Sequence, residues 1–165
     1  MKACAFTGYR PEKLPFGDDE ESPGCKRLKQ RLFCETLQMT GKGVTTFLSG
    51  MARGVDTWAA ETVLQLRTVL PPGKVQLWAV VPHAGQANAW SEADRARYRD
   101  LLARADKVVC LSETYTQGCM QRRNRYLINH ADCLIAVYDG QPGGTRYTVE
   151  YAQKKGLHIM IIDPN

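Results

Sequence analysis

Short apolar runs alternate with stretches of helical period from one end of the chain to the other. The runs Ala3–Thr7, Thr45–Ser49, Val75–Val81, Lys107–Leu111, Cys133–Tyr138 and His158–Ile162 read as strands, mostly bounded by Gly, Pro, Ser or Asp. Their near-continuous apolar character predicts a parallel sheet covered on both faces. Between them, residues 25–40 bring Leu28, Leu32 and Leu37 to one side of a helix. Residues 56–67 do the same with Ala59, Val63 and Leu66, and residues 91–104 with Ala93, Ala96 and Leu101. Residues 118–130 and 146–155 supply two further helices. Such alternation builds right-handed βαβ units. The expected fold class is α/β: a Rossmann-like, doubly wound, mostly parallel sheet of about six strands with helices on both faces, in a single domain over residues 1–165.

Composition narrows the function classes. The chain has 165 residues, 44% of them hydrophobic, enough for one core, and no apolar run reaches the length of a membrane span. The apolar start is too short for a secretory signal, so no membrane partner and a cytoplasmic location are expected. The six cysteines form no C-x-x-C pair, and Cys4, Cys110 and Cys133 lie in runs that read as buried strands. They read as reduced thiols rather than disulfides or zinc ligands. His83, His130 and His158 are scattered, so no metal is expected. The net charge of +5 favours phosphate-bearing partners without requiring nucleic acid. The acidic run Asp18–Glu21, between Pro15 and Pro23, reads as a solvated loop. Trp58 and Trp78 read as core, and Trp90 as lining a pocket or an interface.

Ligands of open α/β sheets bind beyond the carboxyl ends of the strands, near the topological switch point. Three loops occupy that position. After the first strand, Gly8 permits close approach of a ligand and Arg10 can grip a phosphate. After the second, Ser49-Gly50-Met51-Ala52-Arg53-Gly54-Val55-Asp56 feeds a helix whose free amides can hold an anion. Asp56 there serves either a ribose hydroxyl or the helix cap. After the fifth, Asp139-Gly140-Gln141-Pro142-Gly143-Gly144-Thr145 precedes a helix that can cradle a phosphate, with Thr145 and Thr148 as hydroxyl donors. The fourth helix carries Arg122, Arg123 and Arg125 near its N-terminal half, where cations oppose the dipole. A bound anion is the reason favoured over a solvated face.

Together Thr7–Pro11, Ser49–Glu61, Gln121–Asn124 and Gly143–Thr148 resemble the YpsA-like family of the SLOG superfamily of Rossmann-like domains, over nearly the whole chain. The resemblance implies three functions. The first is binding or sensing of a nucleotide or nucleotide-derived phosphate ligand, without turnover and with no required cofactor. The second follows the superfamily's LOG branch: hydrolysis of the N-glycosidic bond of nucleoside 5′-monophosphates. By that analogy Arg123 and Glu150 are catalytic, Arg123 on the phosphoribosyl part and Glu150 on the ribose. Asn124 stands where that branch has lysine, and Arg146 and Tyr147 where it has Gly and Thr, which favours sensing over chemistry. The third follows the DNA-processing protein A branch, whose Ser-Gly-x-Ala-x-Gly-x-Asp segment is similar to Ser49–Asp56: binding of single-stranded DNA. It ranks last here, because aromatic residues are only 8% and no stacking platform interleaved with basic residues is evident. The resemblance also implies a homo-oligomer. It places a glutamine- and tryptophan-containing segment, here Gln86–Trp90, after the third strand, with no role assigned.

Overall fold

The computed structural model describes residues 1–165. Six strands run in the order β4-β3-β2-β1-β5-β6, all parallel. They are β1 (Ala3–Gly8), β2 (Thr46–Ser49), β3 (Gln76–Val81), β4 (Lys107–Cys110), β5 (Cys133–Val137) and β6 (His158–Ile162). The helices are α1 (Pro23–Gly41), α2 (Val55–Val69), α3 (Glu92–Arg104), α4 (Cys119–Asn129) and α5 (Gly144–Lys154), with a short 3₁₀ turn at Pro11–Lys13. The chain walks outward from β1 to β4, then returns along α4 to place β5 beside β1, with Gly8 opposite Val137. The sheet order therefore reverses between β1 and β5, and that is where a doubly wound sheet opens a crevice. No helix is long and apolar enough to cross a membrane.

Two apolar layers cover the sheet. The larger holds Phe6, Phe47, Leu77 and Ile135 against α1–α3 residues such as Leu32, Val63 and Leu101. The smaller holds Ala5, Leu48, Val80 and Leu134 against Leu127 and Ile128 of α4 and Val149 and Ala152 of α5. Several sequence expectations change at the margins. In α1 the buried stripe is Leu28, Leu32, Thr36 and Met39, whereas Leu37 is exposed. In α3 Tyr98 and Leu101 are buried while Ala93 and Ala96 face solvent. Cys110 is exposed because β4 is an edge strand rather than a covered one. Trp58 is buried, and Trp78 is half-buried under the ammonium of Lys107, 4.1 Å from its ring centre.

The acidic run is more than a solvated loop. Glu20 accepts two hydrogen bonds from Arg97 of α3, at 2.7 and 2.9 Å, and one from Lys29 of α1 at 2.7 Å. Arg97 also grips Glu61 of α2. Phe16 packs on Trp58 beside this cluster. The segment between β1 and α1 is thus fastened to three helices. The guanidinium of Arg97 holds the Glu20 carboxyl down at about 2, with Lys29 assisting. A carboxyl depressed in the folded state contributes stability above its unfolded pKa and loses it as pH falls. The midpoint of urea unfolding should therefore fall between about pH 4.5 and 2 less steeply in Glu20→Gln than in the wild type. Parallel pH profiles of the two proteins would refute this account of the latch.

Candidate functional site

A cavity of about 280 Å³ opens at the carboxyl ends of β1 and β5, lined by Thr7–Arg10, Glu12, Lys13, Ala52, Asp56, Met120, Arg123, Asn124, Gly144 and Thr145 among others. It sits where the sheet order reverses. The first turns of α2, α4 and α5 all contribute to its wall. These three helices share one property. Their N-caps are Gly54, Gly118 and Gly143, and none has a side-chain cap. By contrast α1 and α3 are capped by Ser22 and Ser91. Uncapped N-termini leave backbone donors and the positive end of the helix dipole for an anion.

Arg123 is the centre of the site. It is 4% exposed, although it lies in the first turns of a helix where cations are disfavoured. Its acceptors are all neutral: the Gly50 carbonyl, Asn124 Oδ1 at 2.9 Å and Gln86 Oε1 at 3.5 Å, the first two on Nη1 and Nε respectively. Nη2 makes no hydrogen bond within the chain, and the residue lines the cavity. Burial works against its charge, and Asp56, 7% exposed in the same wall, supports it through space. Gly50 has to be glycine for this arrangement, since a Cβ there would stand 2.6 Å from Arg123 Nη1.

The loops around this guanidinium are held by their own polar groups. Ser49 Oγ donates to the Asp56 carbonyl at 2.8 Å and accepts from Met51 N at 3.2 Å. Asp56 Oδ2 accepts from Ala52 N at 3.3 Å, so it braces the loop rather than capping α2, whose cap is Gly54. Gly54, at φ +85°, lies so close to the first loop that a Cβ would meet the Tyr9 carbonyl oxygen at 2.7 Å. Gly8 packs on Val55 with no room for a methyl group. Lys13 Nζ reaches across the cavity mouth to the Pro142 carbonyl at 2.6 Å and joins the β1 and β5 loops.

Of the residues expected from sequence, Gly8, Arg10, Asp56, Arg123, Gly144 and Thr145 line the cavity. Ser49, Gly50, Gly54 and Gly143 shape the loops behind it. Thr148 is buried and spends its hydroxyl on the Gly144 carbonyl at 2.9 Å. Asp139 turns away to Tyr9, Gln141 and Asn165. Arg122 donates to the Leu111 carbonyl at 3.1 Å on the outer side of α4. Glu150 is exposed on the outer face of α5 and paired with Arg146 at 3.0 Å, away from the cavity lining. Sequence reasoning missed Lys13 and left Gln86, in the segment Gln86–Trp90, without a role. The amide of Gln86, buried after β3, donates to the Gly50 carbonyl at 3.3 Å and accepts from Arg123. Trp90 packs edge-on against Tyr98 and lines a second cavity on the far side of the β1 and β2 loops.

Burial raises the Asp56 carboxyl above its ordinary value, with Arg123, the Ala52 amide and Arg10 pulling it back. An acid harder to ionise when folded withdraws stability as pH rises from its unfolded pKa of 3.8. Removing the Arg123 charge must deepen that loss. In Arg123→Met the denaturation midpoint should fall more steeply than in the wild type as pH rises above about 4. Adding Asp56→Asn should flatten the profile and restore stability at neutral pH to within about 1 kcal/mol of the wild type or above it. A single variant with the wild-type profile would disprove the coupling.

Residues 4–164 match the YspA SLOG family model. A UPF0398 protein of Halalkalibacterium halodurans is 33% identical over 158 residues, covering 94% of this chain and 82% of that protein. A UPF0398 protein of Bacillus cereus is 32% identical over 159 residues, covering 94% and 85%. Among solved structures, DNA processing protein A of Helicobacter pylori, described for its single-stranded DNA binding mode, superposes with a TM-score of 0.66 at 18% identity over 97% of this chain. DNA processing protein A of Streptococcus pneumoniae gives 0.61 at 17% identity over 98%. This chain spans 64% and 50% of those two proteins, and at such identities the likeness is one of fold. Motifs, sheet order and the match along nearly its whole length agree: the chain belongs to the YspA SLOG family.

Proposed function

We propose that the crevice between β1 and β5 binds the phosphate of a nucleotide, and that the protein is a nucleotide-binding module. The observation that carries this reading is Arg123, a buried cation with neutral partners and one free nitrogen in the cavity wall. A buried charge without an ion pair is costly, and an anionic ligand offsets that cost. The uncapped start of α5 at Gly144 and Thr145, with Arg10 and Lys13 at the rim, supplies further positive potential. Family membership supports a phosphate-related ligand at the level of the superfamily.

Hydrolysis is the weaker reading, because Glu150, the carboxylate assigned to it by analogy, stands in solvent beside Arg146. Single-stranded DNA deserves more weight than the sequence alone gives it. The fold likeness to DNA processing protein A favours it, and a nucleotide within a strand presents the same phosphate to the same guanidinium.

Thermal unfolding with nucleoside 5′-monophosphates, inorganic phosphate and oligodeoxythymidine separates these readings. A ligand at one hundred times its Kd stabilises by about 2.7 kcal/mol. For a chain of this size that raises Tm by roughly 5–10 °C. The shift given by nucleoside monophosphates or phosphate should vanish in Arg123→Met, persist in Glu150→Gln, and leave the ligand intact by chromatography. Release of free base that Glu150→Gln abolishes would replace binding by hydrolysis. No shift with any of these compounds at millimolar concentration would overturn the assignment.

A further inference from the structure

The chain's net charge is not spread over its surface. Helices α4 and α5 with the adjoining Lys155 carry six Arg or Lys and a single acid, Glu150, which leaves sixteen basic and sixteen acidic residues elsewhere. The whole excess of +5 therefore sits on one helix pair. Five of its six cations, Arg122, Arg125, Arg146, Lys154 and Lys155, lie outside the buried position held by Arg123.

Aromatic rings lie among these cations, an arrangement that residue counts along the sequence do not reveal. The two helices run side by side, with Arg125 donating to the Tyr147 hydroxyl at 3.0 Å and Tyr151 donating to Asn129 at 2.8 Å. Tyr147 and Tyr151 hold their rings 12° from parallel at 6.4 Å, and Lys155 lies over Tyr151. One turn round α4, Tyr126 stacks on His130 at 3.9 Å. All three tyrosines are half-buried, so each leaves part of a ring at the surface.

We propose that the outer face of α4 and α5 is a docking track for single-stranded nucleic acid, with Arg125, Lys154 and Lys155 meeting phosphates and Tyr147 and Tyr151 offering ring faces to unpaired bases. Positively charged grooves with aromatic side chains are how proteins hold single strands without sequence preference. Charge complementarity selects this occupant. A second copy would bring the same excess of positive charge to a two-fold contact, whereas a polyanion neutralises it. The track does not require the crevice to be occupied, although both lie on the same two helices.

Fluorescence anisotropy of a labelled oligodeoxythymidine at several salt concentrations tests the proposal. Affinity of the wild type should fall steeply with salt. Lys154→Gln with Lys155→Gln, both on exposed positions, should lower the log–log salt slope by about 1.4, at roughly 0.7 per phosphate contact on a single strand. Tyr147→Leu with Tyr151→Leu should weaken binding about fivefold or more, the lower end of what one base–aromatic stack contributes. Circular dichroism melts check that each variant folds, and the lysine pair decides the matter if the tyrosine pair does not. No binding by the wild type at low salt would overturn the proposal. So would a loss confined to Arg123→Met with the face variants at wild-type affinity, which would leave the strand to the crevice. Sedimentation showing a dimer that the face variants abolish, without oligonucleotide binding, would instead make this face a contact between copies.

Discussion

The site depends on one guanidinium that is kept dry and left incompletely paired. Arg123 could have been neutralised by a carboxylate in contact, as Arg97 is by Glu20 and Glu61. Instead it is held in place by a carbonyl and two side-chain amides, which orient it without cancelling its charge. Neutral acceptors leave most of the field of a cation intact, and a low-dielectric surround extends its reach. The neighbouring choices follow from that. Gly50 lacks a side chain because the guanidinium occupies the space, and Gln86 comes from beyond β3 to support it. Asp56 stays far enough away to steady the charge without quenching it.

The contrast between Arg97 and Arg123 separates two uses of the same residue type. Around Arg97 the charges balance, and the result is a clamp that fastens the segment after β1 to three helices. Around Arg123 they do not balance, and the helices that point there forgo the serine caps used elsewhere. A side-chain cap would fill the orphan amides that a ligand oxygen can use. The stability forgone at these helix ends and the unpaired charge at Arg123 both lie at one crevice, where a single bound anion would offset both.

Much of the architecture was legible because parallel strands buried on both faces carry a strong signal, and the glycine loops followed from strand-end geometry. The errors fell where tertiary position overrides local pattern. Lys107–Leu111 reads as a covered strand, yet the strand there, Lys107–Cys110, lies at the sheet edge. Leu37 fits a helical stripe that continues instead through Thr36 and Met39. Within the site, Arg123 was identifiable as a cation at the wrong end of a helix. Motif analogy puts Glu150 at the ribose, whereas the phase of α5 buries Thr145, Thr148, Val149 and Ala152 and turns position 150 outward. Lys13 and Gln86 act across long separations through a backbone carbonyl and an amide, and no local spacing announces such contacts. The tyrosine ladder was invisible for the same reason, since it forms only when α4 and α5 lie side by side.

The central pairing of β1 with β5 sets the order in which the molecule can assemble. Cys4 lies opposite Cys133, so the middle of the sheet closes only when nearly the whole chain is available. Units β1 to β4 can form from contacts closer in sequence, but β1 then has an open edge. Loop-closure entropy makes such distant pairing slow, and an emerging chain must wait for its last third. The crevice lies at that same seam. A partly folded chain therefore lacks the crevice, and a ligand bound there as proposed would hold the closed sheet together rather than hasten the stages before it.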